Sequence, residues 1–528
     1  MKSKSFKQTY SYSRRSFIGA AASSAFAFTF VPSKVFGANS RLQVAGVGVG
    51  GKGKGDFDGL AMHGDVIAAC DVDARRLDVS TRKHPDAVKF SDFREMISQL
   101  GDKIDVMNVS TADHTHGPAA MMGMRWGIHV YVQKPLTHTV WEARQLAEMA
   151  RKNNICTQMG NQGTAADGLR EGAEYIRAGG LGDVKEIHAW TNRPVWPQAP
   201  TITARPTEAM SVPDHLDWNS FIGPAPMRPY HSSYTPFKWR GWWDYGTGAL
   251  GDMACHTTNL AFMGCELTQP TTIESVNTGP INEETFPSWA SINLDFPKTD
   301  KRGPIKFHWY EGKVGNNGKD NKGEKNLPPL DLLHGATPKN SGLLIVGTDG
   351  VMHSPNDYGA DWSVYKGGKW HQRSEVDMPE QTLPRNGRGD NGMKEELVKA
   401  IREGKPEIAM SNFNYSGNHT EAILLGNVAM RAGGKFTWDA KKMKTNRKDT
   451  DKLISKFIVR SIPLYFIFDP FSQSRGPRPP QKLSIHLQHI RPLVRPVLDI
   501  FVITNQLINQ FIPLLIHGTI ILQKARYF

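Results

Sequence analysis

Two short stretches, far apart in the chain, carry side chains suited to moving protons. In Gln133-Lys134-Pro135 a lysine follows an apolar run, and the proline after it ends a strand and restricts the lysine's backbone. A lysine held in that way can donate a hydrogen bond to a substrate oxygen and stabilise negative charge there. Asp252 and His256 stand four positions apart, so on a helix they share one face. Imidazole, with an unperturbed pKa of about 6.5, takes up a proton near neutral pH, and a neighbouring carboxylate orients the ring or steadies the imidazolium. Alone, neither stretch is diagnostic: a lysine is more often a surface residue, and an Asp–His pair on a helix is more often solvated. The loop Ser110-Thr111-Ala112-Asp113-His114-Thr115-His116 offers a third set. Its H-x-H lacks a third donor at metal-ligand spacing, so no metal site is expected, and Ser110, His114 and His116 read either as cofactor or substrate contacts or as an ordinary turn.

Elements able to bring such groups together are visible upstream. The run Arg41 to Val47 leads directly into clustered glycines, and Gly48, Gly50 and Gly53, with Gly51 between them, satisfy the spacing of a phosphate cradle opening a helix. A second apolar run, Val66 to Cys70, ends on Asp71, about 20 residues beyond the glycines, where a carboxylate would hold adenosine ribose hydroxyls. Asp71 favours NAD; Arg75 and Arg76 leave NADP possible. Further alternation follows: Asp92 as N-cap of a helix over 93–100, a strand over 104–109, a helix over 117–126, a strand over 128–132 and a helix over 141–153. That order predicts a parallel sheet whose carboxyl edge, where Lys134 and the Ser110 loop lie, binds ligand.

The chain has 528 residues, enough for two domains plus extensions. Its hydrophobic content of 39% and charged content of 22% suit a globular enzyme. The formal charge of +13 is scattered rather than clustered, so no nucleic-acid partner is expected. The four cysteines show no CxxC spacing and support neither a disulfide framework nor a zinc site. Ser13-Arg14-Arg15-Ser16-Phe17-Ile18, with lysines before it and a small, apolar run after it, resembles a twin-arginine export signal. An exported, periplasmic protein that crosses already folded is then expected, with its dinucleotide retained. Val497 to Leu522 is apolar, but Asp499, Asn505, Gln506 and Pro513 make stable membrane insertion costly.

The glycines, Asp71, the Ser110 to His116 loop, the stretch Gly127 to Thr137 around Lys134, and Asp252-Met253-Ala254-Cys255-His256 together resemble the Gfo/Idh/MocA oxidoreductase family, over about residues 41 to 440. The resemblance implies an α/β fold in which a Rossmann-type doubly wound parallel sheet precedes an α+β domain with an open, mostly antiparallel sheet. It divides the chain into a signal peptide (1–37), an NAD-binding domain (38–160), a substrate and oligomerisation domain (161–440) and a C-terminal extension (441–528) read as non-native or disordered. It implies NAD as cofactor, a carbohydrate substrate and a homo-oligomer, with Lys134 polarising the reacting oxygen, His256 taking its proton and Asp252 positioning His256. Arg193, Trp190 and Trp196 read as a sugar-binding wall, with core packing of the tryptophans the alternative. Gln133 stands where the family usually has glutamate, which leaves open how the lysine's charge is balanced. An NAD-dependent glycoside hydrolase and a non-catalytic sugar-binding protein are the rival readings. Residues 311–342, rich in Gly, Lys and Asn, are expected to form an exposed, mobile loop.

Overall fold

A strand buried on both faces must be apolar almost throughout, and Leu42, Val44, Ala45 and Val47 have no more than 2% of their surface exposed. They form β1 (Leu42–Val47), the centre of a parallel sheet with β2 (Gly64–Cys70), β3 (Val88–Phe90), β4 (Val106–Val109), β5 (His129–Val132) and β6 (Thr157–Met159). The order β3-β2-β1-β4-β5-β6 reverses direction between β1 and β4, the switch point at which open α/β sheets take their ligand. The computed structural model describes residues 41–194, 204–316 and 322–455; the twin-arginine stretch, Trp196 and the tail beyond residue 455 lie outside them.

Local chemistry sets the helices between these strands. Asp92 caps Phe93–Leu100 by accepting from the Arg94 amide, and Thr139 and Glu142 form a reciprocal capping box at the start of Val140–Asn153. One boundary differs from the sequence reading. The helix expected from Gly117 begins at Asp113 and runs to Arg125, with Pro118 inside it, so Asp113, His114 and His116 belong to its first turns rather than to a loop. Pro118 is tolerated there because it lies within the first two turns, where few amides need an intrahelical partner.

Among the described residues the second sheet has 11 strands: β7 (Val184–Thr191), β8 (Thr272–Thr278), β9 (Trp289–Phe296), β10 (Ile305–Val314), β11 (Glu324–Lys325), β12 (Ser341–Gly347), β13 (Val351–Ser354), β14 (Ser363–Lys366), β15 (Lys369–Gln372), β16 (Gly434–Asp439) and β17 (Lys444–Thr445). All its pairings are antiparallel except that of β7 with β10. One face packs on the helices Gly248–Thr257 and Phe413–Ala432. The stretch expected as a mobile loop is largely folded. Its start and end are the last residues of β10 and the first of β12, and Leu327, Leu332, Leu333 and Ala336 pack on Trp190, Leu344 and Val351. Those apolar residues, spaced among glycines and lysines, carry too little local pattern to be read.

The chain also returns to its first sheet. Helix Gly389–Glu403 lays Met393, Leu397, Val398 and Ile401 against Leu42, Val44, Val106 and Tyr131. Folded chain continues past residue 440, with β17 paired to β16 and helix Lys448–Ile454 packed on Phe413–Ala432. Among the described residues no helix is long and apolar enough to cross a membrane. Leu397→Ala empties a fully buried position between the two parts of the chain and is expected to cost about 2–5 kcal/mol in urea denaturation.

Candidate functional site

The glycine turn brings backbone where side chains cannot go. Gly48 has φ 75°, and a Cβ on it would sit 2.6 Å from the Ser110 carbonyl oxygen; one on Gly53 would sit 2.0 Å from the Gly48 oxygen. Helix Lys52–Ala61 therefore starts hard against the end of β1, with no acidic side chain in its first turn. The positive end of its dipole suits an anion, while the Gly53 and Lys54 amides turn back to the Gly50 and Gly51 carbonyls at 3.0 and 3.2 Å. Asp71 stands at the end of β2: Oδ2 accepts from the Val49 and Gly50 amides at 3.0 Å, and Oδ1 from the Asp73 amide at 2.9 Å. Burial raises its pKa, with those amides and Arg76 holding it back. Arg75 is bound to Asp73, 2.9 Å away, whereas Arg76 lies along Gly50.

From this cradle a cavity of about 530 Å³ runs to the second domain. Gly48, Gly50, Gly51, Gly53 and Asp71 line one end, Ser110, His114, His116 and Gln133 the middle, and Lys134, Asp252, His256 and Arg193 the other. At that far end Lys134 Nζ donates to Asp252 Oδ1 at 2.7 Å and to the Asp252 carbonyl at 2.8 Å, while Arg240 Nε donates to the same Oδ1 at 3.3 Å. Burial alone would raise the Asp252 pKa, but the two cations bring it down to about 2. Asp252 thus serves Lys134, and no hydrogen bond joins it to His256, contrary to the expectation that it positions the imidazole. The His256 ring meets the Tyr358 ring edge-on at 5.2 Å, and its Nδ1 has no hydrogen-bond partner among the described residues. Burial and the nearby Lys134 charge hold its pKa well below 6.5, so the ring is neutral.

His114 and His116 act as braces. His114 reaches the carbonyls of Tyr245 and Phe221 at 3.2 and 2.9 Å, and His116 those of Pro135 and Thr111 at 2.8 and 3.1 Å. Burial takes His116 to about 4, so it too is neutral, and its single N–H donates to one of the two carbonyls. Their neighbour Asp113 accepts from Thr247 Oγ1 at 2.7 Å, and burial lifts its pKa to about 7. A segment running from His215 to Tyr245 closes over the cavity. The Ala74 amide bonds the His215 carbonyl at 2.9 Å, the Asp217 amide bonds Val72 at 2.8 Å, and Trp218, Phe221, Tyr234, Trp242 and Tyr245 form its core. Phe237, Trp239 and Arg240 from this segment line the cavity. Sequence reasoning missed Arg240 and Tyr358; Arg240 is masked by the tryptophans around it.

Gln133 finds its carboxylate elsewhere. Its Nε2 donates to Asp56 Oδ2 at 2.8 Å, and Ser110 Oγ donates to the same atom at 3.0 Å. Asp56, fully buried in helix Lys52–Ala61, is also 2.6 Å from Lys52 Nζ and 3.2 Å from Lys394 Nζ. Trp190 is not a cavity residue. It is buried in the second sheet, with Nε1 bonded to the Lys339 carbonyl at 3.1 Å and its ring stacked on His353. The alternation of β7 sends it to the face away from the helices.

Residues 41–161 match the NAD-binding Rossmann fold of the Gfo/Idh/MocA oxidoreductase family, and residues 199–301 match that family's C-terminal alpha/beta domain. A glycosyl hydrolase family 109 protein of Shewanella pealeana is 30% identical over 159 residues, which cover 27% of this chain and 33% of that protein. This chain therefore aligns with about a third of that relative's length. The fold is shared with the WlbA dehydrogenase from Chromobactrium violaceum, solved with NADH and UDP-GlcNAcA (14% identity, TM-score 0.52, 78% of this chain and 99% of that one). It is shared equally with an inositol dehydrogenase homolog from Azotobacter vinelandii, solved with NADH and myo-inositol (13% identity, TM-score 0.50, 78% and 100%).

Two outcomes follow from these charges. Gln133→Glu sets a second carboxylate against buried Asp56, and at pH 7 it should lose about 2–4 kcal/mol of stability in chemical denaturation; adding Asp56→Asn should restore most of it. Asp113, raised from 3.8 to about 7, binds a proton on folding, so its contribution is full below pH 3.8 and is lost as pH rises through 7. Asp113→Asn should therefore gain on the wild type between pH 5 and pH 8, by about 1–4 kcal/mol in denaturation midpoints converted to free energy.

Proposed function

We propose that this chain, which carries the NAD-binding and C-terminal domains of the Gfo/Idh/MocA oxidoreductases, oxidises or reduces a secondary alcohol carbon of a sugar or sugar derivative. The observation that carries the reading is the convergence of Lys134 and His256, from different domains, on the cavity that begins at the glycine cradle. The residues fit a dinucleotide: Gly48 and Gly53 let the turn close tightly on Ser110 and on itself, a Cβ on Gly51 would meet nothing nearer than Arg76 at 3.9 Å, the helix start is free of acid, and Asp71 waits at the end of β2. A bound nicotinamide supplies the acceptor or donor of hydride. Lys134 directs its ammonium at the substrate oxygen and stabilises negative charge there. The neutral His256 ring takes the hydroxyl proton on oxidation and returns it on reduction. Asp252 and Arg240 fix the lysine.

Asp71 makes NAD the preferred cofactor, because a 2′-phosphate would meet its carboxylate. The aromatic segment over the cavity supports a cofactor retained between turnovers, and Arg14-Arg15 supports export of the folded protein. A second reading is favoured by the glycosyl hydrolase family 109 relatives: transient oxidation of the sugar, elimination of a glycosidic substituent, addition of water and reduction back, with no net change in the cofactor.

Mass spectrometry of gently denatured protein should find one dinucleotide per chain. Lys134→Ala and His256→Ala should keep it and lose about 10²–10⁴-fold in turnover; unchanged turnover would remove the proposed chemistry. Aryl glycosides separate the two readings, since aglycone released without NADH accumulating marks the hydrolase.

A further inference from the structure

The face of the second sheet turned away from its helices carries ionisable side chains that the proposed reaction does not use. Ile187 and Ala189 of β7 point into the core, so Glu186 and His188 point the other way. On β10, Phe307 and Trp309 are core residues and His308 faces outward with them. The parallel register sets His308 directly beside His188. The two rings stack with centroids 4.6 Å apart, and one donor atom from each of Glu186, His188 and His308 lies within 4.8 Å of the others.

We propose that Glu186, His188 and His308 form a binding site for a divalent first-row transition ion such as Zn²⁺. Two imidazoles and a carboxylate are a donor set for Zn²⁺, Co²⁺ or Ni²⁺, whereas Ca²⁺ and Mg²⁺ take oxygen. The neighbours orient the rings as metal sites require. His308 Nδ1 is 2.7 Å from Asn293 Oδ1, which fixes the proton on Nδ1 and turns the Nε2 lone pair outward. His188 Nε2 donates to Glu186 Oε2 at 3.1 Å and Nδ1 lies 3.1 Å from the Tyr310 hydroxyl; the ion would displace the Nε2 proton, the remaining ring proton moving to Nδ1 with the Tyr310 oxygen as acceptor and one proton released to solvent. Binding at about 2.0–2.2 Å asks the donors to close by about an ångström. The Glu186 side chain is 43% exposed, which gives the ion a route in and leaves room for a water as fourth ligand. All three ligands and Asn293 stand on adjacent central strands, β7, β10 and β9, so the scaffold is rigid. The bound ion would clamp β7 to β10, the parallel pair within an otherwise antiparallel sheet.

The test uses full-length protein without a histidine tag, stripped by chelator. Titration with Zn²⁺ in a calorimeter should show one site per chain, and Co²⁺ should develop the visible absorption of a nitrogen- and oxygen-ligated ion. His308→Ala and the milder Glu186→Gln should each weaken binding at least tenfold, and Asn293→Ala about tenfold through ring orientation. Zn²⁺ should raise the thermal midpoint of the wild type and leave that of the His188→Ala/His308→Ala variant unmoved. Failure of the wild type to bind Zn²⁺ stoichiometrically, or undiminished binding by Glu186→Gln and by the double variant, would overturn the proposal.

Discussion

A lysine ammonium cannot remain at the seam of two domains without a partner charge, and here the partner comes from the other side of the seam. The Lys134 and Asp252 side chains are 14% and 11% exposed, so their attraction is little screened while their desolvation is costly. The pair holds because three hydrogen bonds converge on Asp252: two from Lys134 and one from Arg240. The turn that follows strand β5 supplies the lysine and helix Gly248–Thr257 the carboxylate. Neither domain alone could keep its charge buried. The cavity and the docking of the two domains are therefore one structural fact.

The same economy of charge explains Gln133. A glutamate there would face Asp56 across hydrogen-bond distance, and two carboxylates in a fully buried place cannot both ionise. The chain instead has a neutral donor on the strand and an acid on the helix, opposed by Lys52 and Lys394. Lys394 arrives on Gly389–Glu403, the helix that returns from beyond the second sheet. The floor of the glycine cradle is thus tied by an ion cluster to a segment more than 300 residues away in sequence.

Local pattern made the first sheet legible. Runs such as Leu42–Val47 are apolar because both faces are covered, and Asp92 and Thr139 announce helices by chemistry confined to a few residues. Lys134, Asp252 and His256 were readable as types, and the family resemblance joined them. Their wiring was not. An Asp–His spacing of four suggests a pair, yet Asp252 turns to a lysine from another domain, a choice made by tertiary packing. Asp56 looks like any solvated acid on a helix until the sheet is laid over it, and Arg240 is lost among tryptophans. His188 and His308 become neighbours only through the register of β7 on β10, which no local spacing encodes.

The split of protonation states decides what the cavity can stabilise. Asp252 is held at about 2 by two cations, Asp113 is lifted to about 7 by burial, and His256 is kept neutral by burial and Lys134. Similar groups are driven apart by environment, the arrangement that lets one site hold both acid and base. Near neutral pH the chain then places Lys134 and Arg240 against one committed anion and one carboxyl at the edge of ionisation. The excess is positive. In the proposed reaction that excess is met only when negative charge develops on a substrate oxygen beside Lys134, so the field favours the transition state over the neutral alcohol. The neutral imidazole completes the balance, because a proton delivered to it leaves Lys134 charged and in place.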